Sequence, residues 1–271
     1  MLPMSGEPQQ DGRATLERAQ LIVFFALAYV ISFVLWLPVL AKWIDFPFAL
    51  SIATFGPTLS ALITHRIYAG TWRFARLWTT VSTLAIGIAS GTSVVLIAAF
   101  TAAFCMTESG FDRWQWSALE QIFIVFLPNL LGGPLGEEGG WRGYALPRLQ
   151  RRFNPTASSI ILGFLWANWH LPLIVTHVYN VTWWQFVLLT IAASIFLTFT
   201  FNISNGNILA AIVVHGVYNV GTGIILNDLI SKAKLYSNPE QHNLLWISYG
   251  GVAALLCVIS EGRLGLRMQR D

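Results

Sequence analysis

Long apolar runs separated by short polar segments dominate the chain. Eight of these runs reach or approach the roughly 20 residues that an α-helix needs to cross a bilayer. The pattern therefore predicts an all-α, polytopic membrane protein with about eight transmembrane helices. The runs are 19–41, 46–64, 78–104, 119–135, 157–176, 182–201, 208–229 and 244–260, and the fourth is interrupted by Pro128, Gly132, Gly133 and Pro134.

The composition agrees with a membrane environment, because 55% of the 271 residues are hydrophobic and only 11% are charged. A soluble globular domain carries about 25% charged residues. The polar N-terminus contains Glu7, Asp11 and Glu17, which is not the charge pattern of a cleaved signal peptide. We expect a cytoplasmic tail at 1–18, a single transmembrane helical domain at 19–260 with a motif-bearing core at 119–229, and a second cytoplasmic tail at 261–271.

Positive charges indicate the orientation, because Lys and Arg collect in cytoplasmic loops. With a cytoplasmic N-terminus and eight spans, twelve of the sixteen Lys and Arg residues lie in inner segments. This asymmetry predicts a multi-pass protein of the cell membrane with both termini in the cytoplasm. It also accounts for the net charge of +3 without nucleic-acid binding. The positive charges left outside are Lys42, Arg113, Lys232 and Lys234.

The segment 136–152, GEEGGWRGYALPRLQRR, places two adjacent carboxylates and an arginine among apolar runs. On a helix, Glu138 and Arg142 are four residues apart and can form an ion pair. Glu137 points about 100° away around the same helix, so its carboxylate is free to face a cavity. An ionisable group at membrane depth is by default functional, although a structural ion-pair cluster is the alternative for this segment alone.

Further polar residues lie at a similar depth in other apolar runs. Glu137, His170 and His215 lie roughly 16, 20 and 12 Å from the predicted cytoplasmic ends of their helices, at about 1.5 Å of rise per residue. Asn219 follows His215 by four residues and therefore shares its helix face. We expect these four side chains to meet in a polar cavity within the membrane.

The four residues suit the hydrolysis of an amide bond. A carboxylate and an imidazole that face the same water can share its deprotonation, as Glu137 and His170 would. A second imidazole and an amide, His215 and Asn219, are donors suited to a developing oxyanion. The alternative is a divalent metal such as zinc, held by Glu137, His170 and His215, that activates the water instead. The HExxH pattern of many zinc proteases is absent.

Three motifs in this order resemble the CAAX protease and bacteriocin-processing family of intramembrane proteases, also called the Abi or type II CAAX prenyl endopeptidase family. The family pattern is EExxxR, FxxxH and HxxxN, with each motif on a separate helix. Trp166 stands where the family usually has phenylalanine, which exchanges one aromatic residue for another. The matching residues are Glu137, Glu138 and Arg142, then His170, then His215 and Asn219.

The resemblance implies an eight-helix intramembrane endopeptidase whose cavity opens toward the cytosol. Glu137 then activates water with help from the histidines and the asparagine, while Glu138, Arg142 and Trp166 support the site. Members are named metalloproteases, yet a metal-free, glutamate-dependent mechanism is also implied, so the choice stays open. Eukaryotic members trim prenylated proteins, whereas others are implicated in bacteriocin immunity or as scaffolds. The implied partners are membrane lipid and a membrane-associated protein or peptide substrate. This substrate could carry a lipid or a CAAX-like C-terminus, and nucleic acid is not an implied partner.

Two other functions remain as alternatives. A proton-coupled transporter would use the Glu and His residues as a proton relay. Many transporters contain inverted repeats, and the chain has no second copy of EExxxR or HxxxN. A non-catalytic immunity or scaffold protein of the same fold is the other alternative, and the intact motifs argue against it.

Cysteine-accessibility labelling tests the predicted topology. Single cysteines replace Gln10, Ser237 or Gln269 in a background that lacks Cys105 and Cys257. We expect an impermeant thiol reagent added to intact cells to label position 237 alone, because only that position lies in a predicted outer loop. External labelling at position 10 would overturn the assignment.

Overall fold

The computed structural model describes residues 7–44, 48–71, 80–106, 118–179, 181–222 and 239–266. Every regular element within these ranges is helical, which confirms the all-α prediction for this part of the chain. In chain order the elements are α1 (Glu7–Leu40), α2 (Phe48–Ala53), α3 (Gly56–Ala69), α4 (Val81–Met106), α5 (Ala118–Gly132), α6 (Pro134–Gly140), a π-helical turn (Trp141–Ala145), α7 (Leu146–Gln150), α8 (Pro155–Trp169), α9 (Leu171–Val175), α10 (Trp183–Ile203), α11 (Ile208–Val220) and α12 (Pro239–Ile259).

The described parts of the eight apolar runs fall mainly on helical segments, but three of the runs are divided; residues 46–47, 78–79 and 223–229 of these runs lie outside the described residues. The second run splits at Thr54 and Phe55, the fourth passes from α5 to α6 at Gly133, and the fifth splits at His170. Among the described residues, three helices are long and apolar enough to cross a membrane. The count of eight spans therefore stays a prediction. The three helical segments are Thr15–Leu40, Val81–Ala102 and Trp183–Ile203.

The helices α1 and α4 present apolar side chains on the outside of the bundle. More than half of the surface of Ile22, Val30 and Val34 on α1, and of Ile97 and Phe100 on α4, is exposed. Apolar surface of this extent is unfavourable in water and marks a contact with a membrane or a partner. Because these helices are also long and apolar enough to span a bilayer, their outer faces suit contact with lipid.

Two hydrogen bonds to backbone carbonyl groups hold α8 against α1. The hydroxyl of Tyr29 donates to the carbonyl oxygen of Leu165 at 2.6 Å. The indole N–H of Trp169 donates to the carbonyl oxygen of Ala28 at 3.3 Å. These bonds satisfy polar side-chain groups within an otherwise apolar interface. They thereby fix the C-terminal end of α8, from which His170 projects.

The helix α6 packs against α3 and the preceding turn through a face made of glycine. A Cβ atom on Gly136, Gly139 or Gly140 would lie 2.8, 2.5 or 2.4 Å from the nearest atoms of this neighbour. Side chains do not tolerate such distances, so glycine is what permits the close contact. The segment stays helical from α6 into the π-helical turn, so the glycines serve packing and do not unwind the helix.

Helix ends that the sequence places in the cytoplasm meet at one end of the bundle. A guanidinium nitrogen of Arg151, just after α7, donates to Glu17 Oε1 near the start of α1, at 2.5 Å. The amide of Asn202 in the last turn of α10 donates to the carbonyl oxygen of Leu264, just after α12, at 3.0 Å. This arrangement fits helices that alternate in direction, while the face turned to the cytoplasm stays a prediction.

The glycine contact predicts a large effect of Gly140→Ala on stability. Its new methyl group would lie 2.4 Å from backbone atoms of Pro57, and we expect a loss of about 1–3 kcal/mol in the free energy of unfolding. Gly251→Ala on α12 is the matched control, because no atom lies within 4 Å of its Cβ position. Thermal unfolding in detergent measures both variants. Equal stabilities would contradict the packing role of α6.

Candidate active site

Two asparagine caps fix where the histidine-bearing helices begin. The Asn154 side chain accepts a hydrogen bond from a backbone amide of the first turn of α8, at 2.8 Å. The Asn207 side chain does the same at the start of α11, also at 2.8 Å. Such caps satisfy amide groups that would otherwise lack a partner. Relative to these starts, His170 follows the last residue of α8 and His215 lies in the middle of α11.

Glu138 lies at the centre of a buried ionic cluster. Its Oε1 accepts a hydrogen bond from Arg142 Nη1 at 2.9 Å, as the four-residue spacing predicts. The same oxygen accepts from His215 Nδ1 at 2.8 Å, which links the segment of α6 to α11. The side chains of Glu138 and Arg142 have no exposed surface. Both residues therefore lie behind the cavity wall, and their supporting role in the site stays a prediction.

Glu137 has entirely different partners, although it is the neighbouring residue. Its Oε2 accepts hydrogen bonds from the indole N–H groups of Trp166 at 2.6 Å and Trp141 at 3.3 Å. Its Oε1 lies close to Gly133, at 3.3 Å from the position that a Cβ atom would occupy there. The amide nitrogen of Asn219 lies 4.0 Å from the same position. The carboxylate oxygen Oε1 and the Asn219 amide thus border one small space.

His170 is oriented by a backbone carbonyl group. Its Nδ1 lies 3.0 Å from the carbonyl oxygen of Trp166, which only accepts hydrogen bonds, so Nδ1 carries the hydrogen. In the neutral ring, Nε2 then has a free lone pair and acts as an acceptor. The aromatic rings of Trp169, Phe186 and Tyr179 surround the imidazole at centroid distances of 4.6, 5.0 and 5.8 Å.

One cavity of about 830 Å³ is bordered by all four residues that the sequence marks as catalytic candidates. They reach it from α6, from the end of α8 and from α11, and Trp166 is also part of the wall. The rest of the wall is mixed, with amides and hydroxyl groups beside apolar side chains. The lining residues include Glu137, His170, His215, Asn219, Gln185, Thr190, Val178, Leu189, Ala193 and Leu245.

A metal centre, the alternative to the metal-free site, requires several donor side chains close to one point. Among the described residues, no three His, Cys, Asp or Glu side chains are grouped closely enough to hold an ion. The partners of the proposed donors Glu137, His170 and His215 do not decide the question, because histidines that bind a metal also hold their other ring nitrogen to a carboxylate or a backbone carbonyl. Within the described residues the grouping of three donors that a resident metal ion needs is not present, and no reaction step is derived through one.

Several residues of the site are not predicted from the sequence. Trp141 follows Glu137 by four residues, so the same spacing that pairs Glu138 with Arg142 also indicates this contact. Tyr179 and Phe186 come from the connection before α10 and from α10 itself, and no spacing along the chain places them beside His170. The sequence predicts that Gly133 interrupts a helix, and the structure shows that it also lies next to Glu137 Oε1.

Comparisons with known proteins bear on the three motifs. Residues 119–221 match the family described as type II CAAX prenyl endopeptidase Rce1-like. The chain is also similar to CAAX prenyl protease 2 of Methanococcus maripaludis, with 31% identity over 112 residues. That alignment covers 38% of this chain and 41% of the relative's length. The family resemblance read from the motifs is thereby confirmed in the segment that carries them.

The burial of the ionic cluster predicts a division between the two glutamates. Glu138→Ala leaves the buried Arg142 without its ion-pair partner, and Arg142→Ala leaves the buried Glu138 with His215 alone; breaking such a pair typically costs about 3–5 kcal/mol of stability. Glu137→Gln keeps an oxygen that accepts from the two indoles, so we expect its stability to stay near that of the wild type. Thermal unfolding in detergent compares the three variants, and an equal loss in all of them would contradict the division.

Proposed function

We propose that this chain, whose residues 119–221 match the Rce1-like family of type II CAAX prenyl endopeptidases, is an intramembrane endopeptidase. It hydrolyses a peptide bond of a membrane-associated protein or peptide with a water activated by Glu137 and His170. The observation that carries the proposal is the meeting of Glu137, His170, His215 and Asn219 on one cavity.

Glu137 and His170 act as the bases. Oε1 of Glu137 takes a proton from a water that is also hydrogen-bonded to Nε2 of His170, and the water oxygen attacks the carbonyl carbon of the peptide bond. Glu137 then returns the proton to the leaving nitrogen as the C–N bond breaks. The indole groups hold Oε2 of Glu137, so Oε1 is the oxygen left for this exchange.

His215 and Asn219 stabilise the negative oxygen of the tetrahedral intermediate by donating hydrogen bonds. His215 already uses Nδ1 toward Glu138, so it donates from Nε2 as well when the ring is protonated. In this state the two glutamates balance the charges of Arg142 and His215, so the cluster is neutral overall.

The substrate class follows from the family and from the cavity wall. The relative from Methanococcus maripaludis is named as a prenyl protease, and Val178, Leu189, Ala193 and Leu245 give this cavity an apolar side. Such a wall suits an apolar or lipidated segment beside the scissile bond, including a CAAX-like C-terminus.

The enzyme acts in the cell membrane, and its cavity is lined by Val178, Phe186 and Leu245, toward the helix ends opposite to those that meet near Glu17 and Leu264. A cavity that opens to the cytosol would therefore place the helix ends near Glu17 and Leu264 on the outer side, contrary to the charge asymmetry, and the labelling of position 10 decides between the two orientations.

One observation favours a second candidate function. Glu138, Arg142 and His215 form a continuous chain of buried hydrogen-bonded ionisable groups behind the cavity. Such chains also serve as proton relays in membrane transporters. Proton-coupled transport is therefore the alternative that the decisive experiment has to separate from proteolysis.

A cleavage assay tests the proposed reaction. Purified wild-type protein in detergent is incubated with a library of membrane-anchored peptides, with and without a chelator, and bound metal is quantified. We expect cleavage by the wild type and a loss of at least about 100-fold in Glu137→Gln and His170→Ala, because each removes a group that handles the proton. His177→Ala is the matched control, since His177 lies in an exposed turn after α9.

The outcomes separate the three readings. Cleavage that survives chelation without bound metal supports activation by Glu137 and His170. Stoichiometric zinc whose removal stops cleavage would replace this mechanism and leave the protease function standing. Absence of cleavage, together with a proton flux in liposomes that depends on Glu137, would overturn the protease in favour of the transporter.

A further inference from the structure

Trp166 contacts four side chains of the site, namely those of Glu137, His170, His215 and Arg142. Its indole N–H donates to Glu137 Oε2 at 2.6 Å, and its backbone carbonyl oxygen accepts from His170 Nδ1 at 3.0 Å. Its ring stands edge to face against the His215 ring, with centroids 5.0 Å apart. The guanidinium carbon of Arg142 lies 4.8 Å from the centre of the Trp166 ring. One residue thus contacts the side chains that border the cavity, Glu137, His170 and His215, and also Arg142 behind its wall.

The contact with Glu137 is the shorter of two that hold the same oxygen. Trp141 donates to Oε2 from 3.3 Å, whereas Trp166 donates from 2.6 Å, and both donors are buried. A hydrogen bond to a charged group is shorter and stronger than one between neutral groups. Because both donors approach Oε2, the carboxylate cannot rotate to exchange its oxygens without breaking two buried hydrogen bonds.

We propose that Trp166 is the positioning residue of the water-activating pair. Its side chain holds Glu137 so that Oε1 faces the cavity, and its main chain holds His170 so that Nε2 is the acceptor. The inference rests on the proposed function of Glu137 and His170 as bases. Trp166 itself exchanges no proton with the substrate, and it acts by setting which atom of each base meets the water.

The indole N–H is separable from the bulk of the ring. Trp166→Phe removes the donor and part of the ring, whereas replacement by the amino acid β-(3-benzothienyl)alanine removes only the donor and keeps the bicyclic shape. The packing on His215 and Arg142 is retained in the second variant. A loss shared by both variants therefore reports the hydrogen bond, and a loss confined to Trp166→Phe reports packing.

A kinetic comparison tests the proposal on peptides that the wild type cleaves. We expect both Trp166 variants to lower kcat by about 10- to 100-fold, because a misplaced base loses alignment with the bound water, while KM changes little. The same two replacements at Trp36 are the matched control. Trp36 is also buried and its ring centroid lies 6.5 Å from that of His170, but its indole donates to the backbone carbonyl of Leu50 at 3.1 Å and not to a carboxylate.

A second measurement follows the contact without turnover. The benzothienyl replacement at Trp166 is combined with Glu137→Leu, and the unfolding temperatures of the two single variants and the double variant form a mutant cycle. We expect the double variant to lose less than the sum of the two single losses. Additive losses would mean that the indole does not hold the carboxylate, which would overturn the proposal.

The outcomes also distinguish this proposal from the function on which it rests. A wild-type protein that cleaves peptides, with a benzothienyl variant of unchanged kcat, would overturn the positioning role and leave the protease intact. A wild type that cleaves no peptide would contradict the proposed function, and the positioning role would fall with it even where the mutant cycle shows coupling.

Discussion

The buried oxygen Oε1 of Glu138 is the point on which the rest of the site depends. It accepts hydrogen bonds from Arg142 on the same helical segment and from His215 on α11, and the residues around it exclude water. Separating charges in such an environment is strongly unfavourable, so the two helical segments are held at one distance and one rotation. The orientation of His215 and Asn219 toward the cavity follows from that constraint, because both lie on α11.

The helical segment that carries the two glutamates has three faces with different roles. Gly136, Gly139 and Gly140 allow close contact with α3 and the turn before it, Glu138 points to α11, and Glu137 points to the cavity. Successive residues point about 100° apart, so adjacent glutamates enter different environments. The π-helical turn follows directly, as such turns often do at functional sites, and contains both Trp141 and Arg142.

The sequence predicts the parts of this site that depend on spacing within one helix. The pair of Glu138 and Arg142, the different direction of Glu137 and the shared face of His215 and Asn219 all follow from helix geometry. The depth of polar residues within apolar runs also brings α6, α8 and α11 to one cavity. The interruption of the fourth run at Gly133 is predicted by its glycines and prolines, whereas the turns at Thr54 and His170 depend on packing against other helices and are not predicted.

Trp166 illustrates why contacts between different helices of the site are not predicted from the sequence. In the sequence, Trp166 stands at a position where the family usually has phenylalanine, and the exchange of one aromatic residue for another suggests no change in chemistry. Phenylalanine and tryptophan fill similar apolar space, but only tryptophan carries an N–H donor. That donor matters here because Glu137 lies 29 positions away in the chain and yet places its carboxylate oxygen 2.6 Å from the indole nitrogen. Spacing along one helix assigns a face to a residue, whereas the partner on the next helix is set by tertiary packing.

The buried indole and carbonyl groups that hold Glu137 and His170 fix the geometry of the site and make it depend on the rest of the fold. A base that is held by indole and carbonyl groups needs little reorganisation when a substrate arrives, which is what preorganised catalysis requires. The holding groups come from the π-helical turn and α8, and α8 is in turn fixed to α1 by Tyr29 and Trp169. The orientation of Glu137 therefore rests on contacts that extend to the first helix of the chain.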